Sequence, residues 1–97
     1  MNLSRLRRRI DDLDQEMLSL LNRRAVLVLR VGRLKKKHSV PVFDSKREAA
    51  LLSRLAGTNH GPLPTRSIRL IFKEILRQSR HLQVGDGKNS HKRFRNK

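Results

Sequence analysis

Two cationic side chains interrupt an apolar stripe in the first third of the sequence. Placed on one helix, Arg24 and Lys35 fall within roughly 40° of Val28 and Val31, which belong to the stripe. A cation on an inward face is costly unless an anionic group pairs with it. The spacing indicates a site for an anionic ligand, although long side chains whose stems cover apolar surface would give the same pattern.

A serine and a glutamine interrupt a second apolar face near the C-terminus. Ser79 and Gln83 lie within about 20° of Phe72 on a helical wheel, so they extend its apolar face. A buried glutamine must find partners for both ends of its amide. The pair indicates a polar pocket, and the alternative is a last turn that frays into solvent.

A mixed-charge triplet lies between these two groups. Asp44, Arg47 and Glu48 stand at i, i+3 and i+4 and share one helical face. An N-cap, a capping box of Ser45 with Glu48 and a surface ion pair would produce the same triplet. Alone, it does not define a site.

The elements that must position these residues begin with one very long helix. Apolar residues recur every three or four positions from Leu3 to about Leu34, and Ser4 could cap the start. Such a helix is about 48 Å long, whereas a domain of this length has a radius of gyration of about 13 Å. A second chain must cover the remainder, which predicts an intertwined dimer. Arg7 lies about 25 Å along the helix from Arg24, so it could serve the same ligand only from the other subunit.

Two shorter helices complete the prediction. The second begins at residue 44 or 45 and ends at Gly57, and the third begins at residue 64 or 65 and ends at residues 82–84. No strand pattern occurs. The sequence therefore predicts an all-α fold with three helices per subunit, a domain over residues 1–84, and a basic, disordered tail over residues 85–97.

The amino-acid composition restricts the kinds of ligand and partner that the chain could bind. The chain of 97 residues has a net charge of +16, which predicts an anionic partner. It contains no cysteine, and its four histidines lack metal-ligand spacing, so no metal site is expected. No apolar run could span a membrane, and no signal-peptide pattern follows Met1, which predicts a cytoplasmic protein without a membrane partner.

Six short motifs follow one another in a characteristic order. They are Leu6-Arg7-x-x-Ile10-Asp11-x-Leu13-Asp14, Leu20-Leu21-x-Arg23-Arg24, Val31-Gly32-x-x-Lys35, Pro41-Val42-x-Asp44-x-x-Arg47-Glu48, Ile71-Phe72-x-Glu74-Ile75 and Ser79-x-x-x-Gln83. This series, over residues 6–83, resembles the all-α class of chorismate mutases. The resemblance implies an interlocked homodimer that converts chorismate, a dicarboxylate, to prephenate in phenylalanine and tyrosine biosynthesis, without a cofactor. The basic surface and the tail depart from the family pattern.

The resemblance also implies how each site residue acts. Arg24 and Arg7 from the other subunit would bind the two substrate carboxylates, and Arg47 and Ser79 would assist them. Each site would thus be built mainly from one chain.

The remaining site residues would act on the breaking bond and on the ring. Lys35 and Gln83 would contact the ether oxygen, so that Lys35, Gln83 and Arg24 form the catalytic set. Asp44 and Glu48 would hold the ring hydroxyl. A unimolecular [3,3] rearrangement needs restraint of a flexible dianion and stabilisation of charge growing on the ether oxygen, and these residue types supply both.

Three other functions compete with this interpretation. A lyase of the same fold that removes pyruvate from isochorismate would use the same cations, but its relatives lack the acidic pair of Asp44 and Glu48. A nucleic-acid-binding helical protein would explain the charge, but the chain has no Tyr or Trp for base stacking. An inactive dimeric scaffold is disfavoured because every expected site residue is present.

Overall fold

The computed structural model describes residues 2–85, which form three α-helices joined by two connections. The helices are α1 (Leu3–Lys37), α2 (Ser45–Thr58) and α3 (Thr65–Gly85). No strand occurs between residues 2 and 85, so the predicted all-α fold with three helices per chain is confirmed. The predicted tail lies outside the described residues except for Gly85, the last residue of α3.

The N-cap of α1 differs from the predicted one, whereas the N-cap of α2 is one of the two predicted residues. Asn2 is the N-cap of α1, and its Oδ1 accepts from the backbone N–H of Arg5 at 2.9 Å. The prediction of Ser4 was wrong because Leu3 is already helical, which places Ser4 inside the first turn. Asp44 is the N-cap of α2. The capping box of Ser45 is therefore not formed, and Glu48 is left to contact another helix.

The packing brings α3 against both other helices. Hydrogen bonds join Arg24 to Ser79 and Gln83 to the carbonyl of Val28, so α1 and α3 run parallel where they meet. The C-terminal half of α1 makes these contacts, whereas residues 3–23 are exposed. α2 returns antiparallel along α3. None of the three described helices combines the length and apolar content needed to cross a membrane.

A tight turn ends α1 and returns the chain toward it. Ser39 has φ 56°, in the left-handed region. Its N–H donates to the carbonyl of Lys36 at 3.3 Å, and the N–H of Val40 donates to the carbonyl of Lys35 at 2.7 Å. This pair of bonds is a Schellman motif, which satisfies the last carbonyls of a helix. The turn brings Val42 back beside the side chain of Lys35.

The protomer is a thin layer. It measures 54 × 35 × 15 Å, and its radius of gyration of 16.4 Å exceeds the value of about 13 Å expected for its length. Because a helix with its side chains is about 10–12 Å across, the layer is little more than one helix thick. Among the described residues only Leu29 and Leu76 are buried apolar side chains. The apolar stripe of α1 is exposed, including Leu6, Ile10, Leu13, Met17 and Leu20.

Candidate active site

A cleft of about 280 Å³ opens where the three helices meet. Its walls are apolar side chains, namely Leu27, Val28, Val31, Val42 and Leu76. Seven of the eight predicted site residues also line it: Arg24, Lys35, Asp44, Arg47, Glu48, Ser79 and Gln83. The structure therefore brings together the polar residues that interrupt the apolar stripes of α1 and α3 and the charged triplet at the start of α2.

Arg24 is held in the cleft by the serine of α3. Its Nη1 donates to Oγ of Ser79 at 2.6 Å, and that hydroxyl donates onward to the carbonyl of Ile75 at 2.8 Å. Burial, and then the charge of Arg47, lowers the pKa of the Arg24 guanidinium below its ordinary value. Two arginines that share a half-buried cleft repel each other, and an anion bound between them would remove that repulsion.

Lys35 is anchored by the segment that follows α1. Its Nζ donates to the carbonyl of Val42 at 2.8 Å. An ammonium group carries three donors, so two of them stay available to a ligand. The side chain is half-buried and lines the cleft.

Gln83 lies in the last turn of α3, which the sequence analysis considered as a turn that could fray. The turn is helical in the structure. α3 continues to Gly85, and Nε2 of Gln83 donates to the carbonyl of Val28 at 2.9 Å. The side chain is half-buried between α3 and α1 and forms part of the cleft wall. The polar-pocket interpretation of Ser79 and Gln83 therefore agrees with the observed packing.

The two acidic residues at the start of α2, Asp44 and Glu48, already accept hydrogen bonds within the chain. Oδ1 of Asp44 accepts from the backbone N–H of Arg47 at 3.0 Å. Both carboxylate oxygens of Glu48 accept from Nη1 of Arg80, at 2.5 and 2.6 Å. A carboxylate offers about four acceptor positions, so each group can still accept from a ligand hydroxyl.

Arg80 is a cleft residue that the sequence analysis missed. Besides its pair with Glu48, its guanidinium carbon lies 4.9 Å from the centre of the Phe43 ring, a cation–π distance. It thereby joins α3 to both the start of α2 and the connection before it. The available signal was position, because Arg80 follows Leu76 by four residues and precedes Gln83 by three, and so lies on their face.

We expect Arg80→Met to lower the free energy of unfolding by about 1–3 kcal/mol, because it leaves a poorly solvated carboxylate without its cation. The side chains of Arg80 and Glu48 are only 29% and 18% exposed. Arg77→Met is the matched control on the same helix, since Arg77 and its partner Glu74 are 50% and 52% exposed. Solvent screens such a pair, so little change is expected there. Denaturant unfolding measures both, and equal effects would contradict the prediction.

Arg7 is the one predicted site residue that does not line this cleft. It lies on the exposed N-terminal half of α1. A contribution from Arg7 therefore requires a second chain, as the sequence analysis expected, and its role stays a prediction.

The charges of the cleft favour a dianion. Four cationic side chains (Arg24, Lys35, Arg47 and Arg80) and two carboxylates (Asp44 and Glu48) line it, which leaves a net charge of +2. Low-dielectric walls concentrate the field of such a charge set. Residues 2–85 contain no group of three or more His, Asp or Glu side chains that could hold a metal ion.

The chain is similar in sequence and in structure to known chorismate mutases. The family model described as chorismate mutase type II matches residues 6–84. A bifunctional chorismate mutase/prephenate dehydratase of Neisseria gonorrhoeae is 40% identical over 70 residues, which cover 72% of this chain and 19% of that protein. A protein of the same description from Aquifex aeolicus is 35% identical over 78 residues, or 76% of this chain and 22% of the relative. The chain thus spans about a fifth of these curated relatives.

Solved structures resemble the chain over most of its length. Chorismate mutase (form II) from Thermus thermophilus has a TM-score of 0.85 and 38% identity, covering 87% of this chain and 96% of that one. Chorismate mutase from Helicobacter pylori in complex with prephenate has a TM-score of 0.79 and 30% identity, covering 86% and 90%.

Proposed function

This chain belongs to the chorismate mutase type II family, and we propose that it catalyses the rearrangement of chorismate to prephenate as a subunit of a homodimer. One observation carries the proposal: Arg24, Lys35 and Gln83, which are far apart in sequence, line a single cleft. A dicarboxylate matches the net charge of that cleft. The structure of a similar protein, from Helicobacter pylori, was solved in complex with prephenate, the expected product.

The first task of the cleft is to restrain the substrate. The guanidinium groups of Arg24 and Arg47, with Arg7 of a second chain, would bind the two carboxylates, and forked pairing fixes orientation as well as position. Ser79 holds Arg24 in place for this contact. A flexible dianion would thereby be kept in the chair-like geometry in which the reacting carbons approach, which removes entropy from the barrier.

The second task is to stabilise charge on the ether oxygen as its bond to carbon breaks. Lys35 brings a free ammonium hydrogen, and Gln83 brings the second hydrogen of its amide nitrogen. Donors fixed in advance at the position of developing charge typically lower a barrier by about 3–4 kcal/mol each. No proton is transferred in this scheme, so no residue has to act as a general acid or base.

The acidic pair distinguishes the mutase from the lyase of the same fold. Asp44 and Glu48 lie on the α2 side of the cleft, where free acceptor positions suit a ring hydroxyl. Chorismate and isochorismate carry that hydroxyl on different ring carbons, and the family resemblance implies that the pair serves chorismate, because the lyase relatives lack it.

The shape of the protomer supports the homodimer. A layer 15 Å thick with an exposed apolar stripe on α1 needs a second apolar layer to form a core. A second copy would supply that layer and bring its own Arg7. The cytoplasmic location stays a prediction.

A direct assay tests the activity. Purified protein is mixed with chorismate, and the ultraviolet absorbance of chorismate and the formation of prephenate are followed against an enzyme-free reaction. We expect prephenate to form. A parallel reaction with isochorismate reports salicylate and pyruvate. Absence of turnover would refute the mutase assignment, and salicylate without prephenate would assign the lyase.

Replacing Gln83 with glutamate should confine activity to acidic pH. A neutral amide donates at any ordinary pH, whereas a carboxyl group with an ordinary pKa of about 4.3 donates only when protonated. At neutral pH we expect a loss of about 100-fold in kcat, with recovery as the pH falls toward that pKa. The pH profile of kcat, compared with that of the wild type, measures this. An unchanged profile would reject contact between residue 83 and the ether oxygen.

A further inference from the structure

A glycine near the C-terminal end of α1, Gly32, lies directly beneath the side chain of Gln83. A Cβ built on Gly32 would stand 3.0 Å from Cγ, 3.3 Å from Cβ and 3.5 Å from Cδ of Gln83. The first two distances are shorter than ordinary van der Waals contacts between carbon atoms. Any side chain at position 32 would therefore occupy the space in which the stem of Gln83 lies.

The amide of Gln83 reaches one turn further along the same helix. Its Nε2 donates to the carbonyl of Val28 at 2.9 Å, and Val28 precedes Gly32 by four residues. A carbonyl oxygen can only accept, so the amide must turn its nitrogen, not its oxygen, toward α1. The nitrogen carries a second hydrogen, which stays available on the side of the cleft that Gln83 lines.

We propose that Gly32 is a positioning residue for catalysis. The space above Gly32 and the carbonyl of Val28 together form a seat for the side chain of Gln83. This seat orients the amide so that one of its N–H groups points toward the ether oxygen. The inference rests on the proposed function. With the opposite orientation, the amide would present its own oxygen to an oxygen that gains negative charge, and the two would repel each other.

The seat explains why a residue unfavourable to helices stands inside a 35-residue helix. Glycine in a helix interior is less stable than alanine. Alanine at position 32 would push the stem of Gln83 away from α1, and its amide away from Val28. A displacement of about 1 Å in a positioning group can lower turnover by about 100-fold. The stem of Gln83 would have to move by a few tenths of an ångström, so we expect a smaller but measurable loss.

The test compares two glycine-to-alanine substitutions in helices. Gly32→Ala fills the seat, whereas Gly57→Ala is the matched control, because nothing lies within 4 Å of a Cβ built on Gly57 of α2. Both substitutions gain helix propensity, although Gly57, in the last turn of α2, gains less than Gly32. We expect Gly57→Ala to keep the wild-type kcat. Gly32→Ala should lose about tenfold in kcat with KM changed less than about threefold, since the carboxylate-binding groups are untouched.

A double variant separates positioning from general damage. Gln83→Ala removes Cγ, Cδ and the amide and leaves only the 3.3 Å contact with Cβ, so Gly32→Ala should cost little further activity in that background. A wild-type kcat for Gly32→Ala, or losses that simply multiply in the double variant, would overturn the inference while leaving the proposed function standing.

Lack of chorismate turnover by the wild type would refute the proposed function but not the packing of Gln83 against Gly32. Thermal unfolding tests that packing independently of activity. We expect Gly57→Ala to raise Tm, and Gly32→Ala to raise it only when Gln83→Ala is also present. If Gly32→Ala fails to fold and Gln83→Ala restores folding, the seat is supported. Equal Tm shifts for both glycines in both backgrounds, or no restoration, would overturn it.

Discussion

Replacing Lys35 with alanine should lower kcat by about 100- to 1,000-fold, which corresponds to about 3–4 kcal/mol of transition-state stabilisation. The ammonium group is fixed by the carbonyl of Val42 and directed into the cleft. It therefore supplies positive charge in the right place before the reaction begins. Arg24→Ala should cause a loss of similar size, because it removes a carboxylate anchor and leaves the hydroxyl of Ser79 without its guanidinium partner.

Neighbouring cations on the same helix provide matched controls. Lys36 and Arg23 are exposed and do not line the cleft. Lys36→Ala and Arg23→Ala remove the same charges from the protein, so a long-range electrostatic effect would appear in them as well. We expect their kcat values to stay within about threefold of wild type, as solvated charges contribute little. Steady-state kinetics on the four variants decides. A loss below tenfold for Lys35→Ala or Arg24→Ala would mean that the site is elsewhere.

Two inactive variants should restore activity to each other when their chains are mixed. In a dimer of Arg7→Ala with Arg24→Ala, one site keeps Arg24 of the first chain and Arg7 of the second, whereas the other site carries both lesions. Random pairing makes about half of the dimers mixed, and each holds one intact site. Unfolding the two variants together and refolding them should therefore recover about one quarter of the wild-type activity.

The control mixture combines Arg24→Ala with Lys35→Ala. Both residues line the cleft of the same chain, so every site of every mixed dimer keeps one lesion. No recovery is expected. Recovery in this control, or none in the mixture containing Arg7→Ala, would contradict a site shared between two chains. The experiment thereby tests the dimer and the role of Arg7 at once.

The helical wheel predicted the inward-facing polar residues well. Arg24, Lys35, Ser79 and Gln83 stand out because each interrupts an apolar period, and the structure places all four in one cleft. Such interruptions can be recognised from sequence because the period of an α-helix is fixed. The contact between Arg24 and Ser79 could not be read in the same way, since it depends on the parallel packing of α1 against α3.

Other features were hidden for physical reasons. Arg80 was missed because one more arginine in a chain with 24 Lys and Arg residues carries no signal of its own. The end of α1 was predicted at Leu34, but three lysines extend it to Lys37, where cations suit the negative end of a helix. The turn at Ser39 lacks the glycine that usually marks such a position. The sequence does not identify the N-cap residues uniquely, because Asn, Asp and Ser are about equally favoured at that position.

If the chain works as the proposed homodimer, a protomer only 15 Å thick makes the stability of the fold depend on protein concentration. With only two buried apolar side chains among the described residues, an isolated chain has little to hold it folded. Its unfolding midpoint would then rise with protein concentration, as it does for proteins whose subunits fold only together. On strong dilution the proposed homodimer would dissociate, and folded structure and catalysis would be lost together. The specific activity would therefore report the fraction of chains that are in dimers.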